Sequence, residues 1–497
     1  MTAVFLLLAV RFAIPTNLIW SDLGRHIKNG ELISQGVKDV LYKNYYSYTC
    51  PDYHFVNHHW LFGVFCYFIW HQVSFTGLSI AFILLVLLTF YVFFSYLEYF
   101  SSFGFACAFG LLCMPLINTR PEIRPEEFSV LFCGLFLWLL TLYQEQRVKP
   151  LYLSIGLASV QIIWVNTHIF FIIGPAMIIL YWLQARLNDD KNQARGLQKI
   201  FVLVTGACFI NPSGWQGVSA PFHVSKASNF IIDENNSILS AGKYFFLNPY
   251  LSLFLVTMIM LFAAGVVLIQ KQGLKKYFVP AIMAVFLCLI SIKWRRFIGP
   301  YGYFWIPLCG YAWWQWMSAW PARARKMVEI LLIMAGVVIA ISTNFDLKQP
   351  RALGLVPGSN RAAEFFKQQN ISGPIFNGYD IGGYLIFHLS PRYKLFVDNR
   401  MEAFPSDFFK NTYSPMMMSD EIWKRMDGQY HFNTIFNDFE GNAGTDFFLR
   451  RLKDPSWALV YFDGPTYIFL KRNKQNEAVI QHYEMHLKIK INPPAAF

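Results

Sequence analysis

Long uncharged apolar runs recur along this chain, and a run of that kind has few ways to fold. Residues 74–97, SFTGLSIAFILLVLLTFYVFFSYL, are one example. About 20 mostly apolar residues span the hydrocarbon core of a bilayer as a helix. A helix also satisfies its own backbone polar groups there. Windows 2–20, 74–97, 103–118, 127–144, 151–166, 169–185, 200–211, 249–270, 278–294, 299–317 and 327–342 fit this pattern, the ones at 103–118, 151–166 and 200–211 being short. The expectation is an α-helical integral membrane protein with about eleven transmembrane helices. Composition agrees: 55% of the 497 residues are hydrophobic and 14% charged, against about 25% charged in soluble proteins. After residue 342 the long apolar runs stop and charge is mixed. Residues 1–342 are therefore read as the multi-pass domain, with an amphipathic first outer loop at 21–73, and residues 343–497 as a soluble domain.

Charge gives the orientation. Arg147 and Lys149, then Arg186, Lys191, Arg195 and Lys199, then Lys271, Lys275 and Lys276, then Arg323, Arg325 and Lys326 fall in alternate loops. Cytoplasmic loops carry such an excess. The N-terminus is then cytoplasmic, in the inner membrane, and the first loop and the C-terminal domain are extracytoplasmic. The net charge of +12 is explained by these loops, so no nucleic-acid partner is implied. Arg120, Arg124, Lys293, Arg295 and Arg296 break the rule by lying outside. An anionic ligand at the outer surface would account for them.

Polar residues gather at the outer turns. In SDLGRHIKNGELI, residues 21–33, a helix beginning near Asp22 sets Asp22, His26 and Asn29 along one face, with Arg25 beside them. Ser21 or Asp22 can cap it. His58 and His59 open the next apolar helix. With no Cys or paired carboxylate beside them, they suit hydrogen bonding to phosphate or hydroxyl rather than a metal. NTRPEIRPEEF places Arg120, Glu122, Arg124, Glu126 and Glu127 at membrane level, where charges face cavities and serve function. Pro125 can start the following helix. WVNTH adds Asn166 and His168, and the long loop up to about residue 248 adds Asp233 and Glu234, a second carboxylate candidate. Apart from Arg11, few ionisable residues lie deep in the windows, which disfavours a transport path.

With these residues assembled, the chain resembles the GT-C glycosyltransferases. These are multi-pass enzymes that use polyprenyl-phosphate-linked sugars and carry an essential acid just past the first span, the position of Asp22. It is most similar to bacterial GT-C-like proteins with an acid-x3-His-x3-Gly helix (Asp22, His26, Gly30), then Tyr-Ser-Tyr-Thr (46–49) and Asn-His-His-Trp-Leu (57–61). RPEEF and WVNTH fit the same pattern. The first loop lacks Asp-x-Asp, so a metal is not indicated and no cofactor is expected.

The resemblance implies sugar transfer with inversion from a polyprenyl-phosphate donor to an envelope acceptor (glycan, lipid or protein). Asp22 would be general base, and such a group must lie within roughly 3 Å of the proton it takes. Arg120, Arg124, Arg295 and Arg296 would hold the donor phosphate, since guanidinium pairs bidentately with phosphate. Arg25, His26, His58, His59 and His168 would contact sugar or phosphate. A second reading is a non-catalytic GT-C-like protein that binds lipid-linked glycans or scaffolds envelope assembly; a third is a transporter or flippase. In the C-terminal domain, helices at NRAAEFFKQQN, FPSDFFKNTY, EIWKRM and TDFFLRRL alternate with strands at GPIFNGYD, YKLFVDNR, NTIFNDF and WALVYFDGPTYIFLKR, which predicts an α/β fold with a partly parallel sheet. Asp398 and Arg400 form an ion pair or an acceptor contact.

Overall fold

The structure, a computed structural model, describes residues 1–227, 237–238, 249–271, 273, 275–344, 350–439 and 441–486. The chain divides into two compact units, residues 1–16 with 58–354, and 17–57 with 355–497. The segment at 17–57, which the sequence reading grouped with the membrane domain, thus folds with the C-terminal residues.

The first unit is helical. Among the described residues, six of its helices are long and apolar enough to cross a membrane: Trp60–Phe100, Glu126–Gln144, Pro150–Thr167, Ile169–Leu187, Leu251–Gln270 and Ala322–Thr343. Thr2–Phe12, Phe103–Ile117 and Phe278–Lys293 are apolar but shorter. The expected window 2–20 is helical only to Phe12. Pro15 lies just beyond, and the residue before a proline is pushed away from helical dihedrals. The window 200–211 falls in helix Lys191–Ala207, whose first half is charged. Helix Ile298–Met317 is long but rich in Trp and Tyr, whose polar tips lower its hydropathy. The long helix Trp60–Phe100 is broken at Val73 and Ser74, where the dihedrals leave the helical region.

Helix Phe103–Ile117 is the core of this unit, with every residue from Gly104 to Ile117 buried. Its neighbours approach it through glycine: a Cβ at Gly336 would stand 2.7 Å from Leu111 Cβ, and one at Gly302 would stand 3.0 Å from Leu116 Cβ. Backbone hydrogen bonds from Thr16 N to Gly354 O (2.7 Å) and from Ala352 N to Ala13 O (3.1 Å) hold the ends of the unit together.

The second unit contains a four-stranded mixed sheet: β1 (Ile375–Phe376), β2 (Thr434–Asp438), β3 (Trp457–Phe462) and β4 (Thr466–Lys471). Its order is β1-β2-β4-β3. The β1–β2 pair is parallel and the other two pairs are antiparallel. YKLFVDNR forms no full strand. Its Leu395 bridges Ile375 on one side and Ser47 on the other, so the loop segment at Tyr46–Tyr48 extends the β1 edge. Phe376 packs on Trp423 (4.8 Å between ring centroids) and Phe447 (5.2 Å) in an aromatic core. In helix Arg361–Gln368, Ala362, Ala363 and Phe366 are buried. Phe365 is half-buried and packs on Tyr461.

Helix Leu23–Ser34 is buried from Leu23 to Gly30, polar residues included. Over those eight residues it presents no solvated face. A Cβ on Gly24 would stand 2.7 Å from Gly383 O, and one on Gly383 2.7 Å from Ser21 O. This helix therefore crosses helix Gly382–Leu389 at backbone contact, which seats the residues that follow Ser21.

Candidate active site

In the first unit, Arg120 and Arg124 lie in the turn between helices Phe103–Ile117 and Glu126–Gln144. Pro125 occupies the N-cap, and Glu126 and Glu127 fall in the first helical turn, where the helix dipole favours negative charge. Arg295 and Arg296 lie in a 3-10 turn, Arg295–Phe297, that leads into helix Ile298–Met317. Arg120, Arg124 and Arg296 line one cleft, together with Glu122, Glu126, Glu127, Phe170 and Tyr303, around about 560 Å³ of open space. Ion pairs cross it: Arg120 Nη1 stands 3.3 Å from Glu126 Oε1, and Arg124 Nε 4.0 Å from Glu122 Oε2. The Tyr303 hydroxyl donates to Glu127 Oε1 at 2.9 Å.

Three histidines stand in a row in the same unit. The His58 and His59 rings are 4.2 Å apart, and His59 stacks on His168 at 5.3 Å. The turn carrying His168 is pinned on two sides: Trp60 Nε1 donates to Asn166 Oδ1 at 2.8 Å, and Asn166 Nδ2 donates to Ile210 O at 2.8 Å. Burial pushes the His168 imidazole down to about 3; Glu126 opposes this, and His58, Arg296 and Arg120 add to it. The ring is therefore neutral at ordinary pH. Its Nδ1 is 2.7 Å from Ser129 Oγ, which also accepts from Trp164 Nε1 at 2.8 Å. When Ser129 donates to Nδ1, the ring carries its proton on Nε2 and can donate there.

In the second unit, Asp22 is the N-cap residue of helix Leu23–Ser34, with no side-chain cap bond. Its carboxylate is engaged elsewhere. Asn399 Nδ2 donates to Asp22 Oδ1 at 2.5 Å, and Arg25 Nη2 is 3.6 Å from the same oxygen. Arg25 Nε donates to Asn399 Oδ1 at 2.9 Å. Arg25 and His26 are buried on this helix, whereas the Asp22 side chain is 33% exposed. Asn29 Oδ1 accepts from the Tyr46 hydroxyl at 2.6 Å. Among the described residues, no group of three or more His, Cys, Asp or Glu is placed to hold a metal ion.

No known family model matches the chain, and no curated protein matches it. Solved structures do. The apo oligosaccharyltransferase of Archaeoglobus fulgidus superposes with a TM-score of 0.59 at 10% identity, covering 95% of this chain and 74% of that one. ArnT from Cupriavidus metallidurans bound to undecaprenyl phosphate gives 0.55 at 13% identity, covering 94% and 96%. The mycobacterial arabinofuranosyltransferase AftD gives 0.56 at 14% identity over 94% of this chain, which spans 41% of the AftD length. The chain has a GT-C-like fold.

Within this GT-C-like fold the expected residues fall into two groups. Arg120, Arg124 and Arg296 share the cleft of the first unit, and His58, His59 and His168 stack in the same unit. Asp22, Arg25 and His26 belong to the second unit. Arg295 shares the turn of Arg296, but among the described residues that line the cleft only Arg296 of the two is present. Glu234 and its neighbour Asp233 lie outside the described residues. Sequence reasoning did not single out Tyr303 or Asn399. Tyr303 sits mid-helix among other aromatics, with nothing to set it apart. Asn399 is an uncharged residue between the charged Asp398 and Arg400, and its bond to Asp22 spans 377 positions.

Proposed function

We propose that this protein is a glycosyltransferase of the outer face of the cytoplasmic membrane. In this reading it transfers a sugar from a polyprenyl-phosphate donor to an envelope acceptor, with inversion at the anomeric carbon. The chain crosses the membrane about eleven times with its N-terminus inside. The apolar helices shorter than a full span, together with Lys191–Ala207 and Ile298–Met317, then complete the bundle. The observation that carries the proposal is the convergence of Arg120, Arg124 and Arg296 on one cleft of a GT-C-like unit.

Asp22 takes the proton of the acceptor hydroxyl as that oxygen attacks the anomeric carbon. The bond from that carbon to the phosphate oxygen breaks, and its electron pair leaves on the lipid phosphate. A phosphate leaving group needs cations rather than an acid. Arginine suits this because its fork of donors matches phosphate oxygens and its charge persists at any working pH. A neutral His168 can donate to sugar or phosphate without adding charge, and His58, His59, Arg25 and His26 fill the remaining polar contacts. Glu234 is held as a second carboxylate. Neither metal nor nucleotide is required by this chemistry.

The test is mass spectrometry of lipids that co-purify in mild detergent, wild type beside Arg124→Ala, followed by turnover assays on Asp22→Asn. A polyprenyl phosphate or its glycoside retained by the wild type and depleted in the arginine variant is expected. Asp22→Asn should lower turnover by about 100-fold or more while sparing donor binding. Donor binding that persists together with an Asp22→Asn variant equal to the wild type would favour the non-catalytic, glycan-presenting reading.

A further inference from the structure

Asp22 has two carboxylate oxygens, and its surroundings treat them differently. Oδ1 accepts from Asn399 Nδ2 at 2.5 Å and stands 3.6 Å from Arg25 Nη2. Among the described residues, Oδ2 has no hydrogen-bond donor. Asn399 is itself held: its Oδ1 accepts from Arg25 Nε at 2.9 Å. That bond fixes the amide's orientation, because the oxygen must face the guanidinium and the nitrogen the carboxylate.

The backbone gives this arrangement little room. A Cβ on Gly383 would stand 2.9 Å from Asn399 Nδ2 and 2.7 Å from Ser21 O. Asn399 is also flanked by Asp398 and Arg400, both fully buried and paired with each other. Its position is thus set from both neighbours along the chain and from the facing helix.

We propose that Asn399 is the positioning residue for Asp22. It occupies Oδ1 and leaves Oδ2 as the oxygen that takes the acceptor's proton, an inference that rests on the role given to Asp22 above. An amide meets both demands with one side chain, as a donor to the carboxylate and an acceptor from Arg25. Aspartate at this position would set two carboxylates against each other, and an apolar residue would meet neither demand.

The test uses the full chain in detergent and needs no activity for its first readout. A water-soluble carbodiimide labels carboxyl groups that no donor occupies more readily, so the rate of Asp22 labelling at one fixed pH can be read by peptide mass spectrometry. Asn399→Ala frees Oδ1 and should raise that rate about fivefold. Asn399→Asp keeps the volume, removes the same donor and should raise the rate too, so a folding failure in one variant leaves the other to decide. A labelling rate unchanged in the variant that folds would overturn the proposal.

The second readout is kinetic. With a polyprenyl-phosphate sugar as donor, Asn399→Ala should lower kcat about tenfold at constant donor KM. A raised KM with unchanged kcat would also overturn it. If the labelling rate rises but the wild type transfers no sugar, the tether stands and the transferase reading is the one that fails.

Discussion

Arg400 shows what a single residue can hold in place. It is fully buried, and its Nε and Nη2 donate to Asp398 at 2.8 and 2.7 Å, while Nη2 also donates to Asn44 Oδ1 at 2.8 Å. Its guanidinium lies 5.0 Å from the Tyr46 ring and 4.9 Å from the Phe55 ring. This resolves the two uses open for Asp398 and Arg400 in favour of the ion pair. Breaking such a pair strands one charge in the interior. Asp398→Ala should therefore cost about 3–5 kcal/mol, whereas replacing both partners by apolar residues of similar volume should cost less than either single change. Denaturation of the three variants in detergent checks the order. His388 gives a pH prediction. It is half-buried, its Nε2 is 3.1 Å from Asn360 Oδ1, and burial, with Lys367 and Lys28 nearby, pushes its imidazole down to about 3. The unfolded chain binds that proton near pH 6.5, well before the folded one does. The associated stability is complete above that pH and is lost as pH falls toward 3. His388→Gln should flatten the acid limb of a melting-temperature profile; an unchanged limb would show that other groups govern it.

At the scale of elements, the crossing of helices Leu23–Ser34 and Gly382–Leu389 is an exacting contact. A methyl group at position 383 would stand 2.7 Å from a carbonyl oxygen. Gly383→Ala should thus cost about 1–3 kcal/mol by overpacking, and Gly383→Val more, read as successive drops in melting temperature. Neither glycine announced this packing in the sequence, because close approach depends on a partner more than three hundred positions away. What the sequence did make legible was local. Apolar runs located most of the long helices, and Pro125 marked the start of one of them. Alternation of helices and strands after residue 342 matched a mixed sheet. It failed where tertiary context decides: window 2–20 gave an eleven-residue helix ended before Pro15, and YKLFVDNR pairs through single bridges instead of a strand. The site was legible in the same uneven way. Arginines placed against the charge bias stood out and three of them meet in one cleft, while Tyr303 and Asn399 act through partners that no local pattern reveals.

On the scale of the molecule, the chain passes between its two units at residues 16–17, 57–58 and 354–355. The second unit is therefore not a contiguous C-terminal domain. Residues 355–497 produced alone should fold poorly, because the helix at Leu23–Ser34 and the Tyr46–Tyr48 edge would be missing. Co-expression with residues 17–57 should restore a monodisperse, cooperatively melting species, as judged by gel filtration and circular dichroism. Equal behaviour with and without 17–57 would show that the loop segment is dispensable for folding. The same interleaving bears on how the protein is made. Asn44 leaves the ribosome 356 residues ahead of Arg400, the cation it will bind. At roughly 5–20 residues per second, that is a wait of about 20–70 s. During it, the segment at 17–57 holds Arg25 and Asn44 ready for Asn399 and Arg400, which have not yet been translated, so this stretch is where a nascent-chain chaperone has the longest time to act.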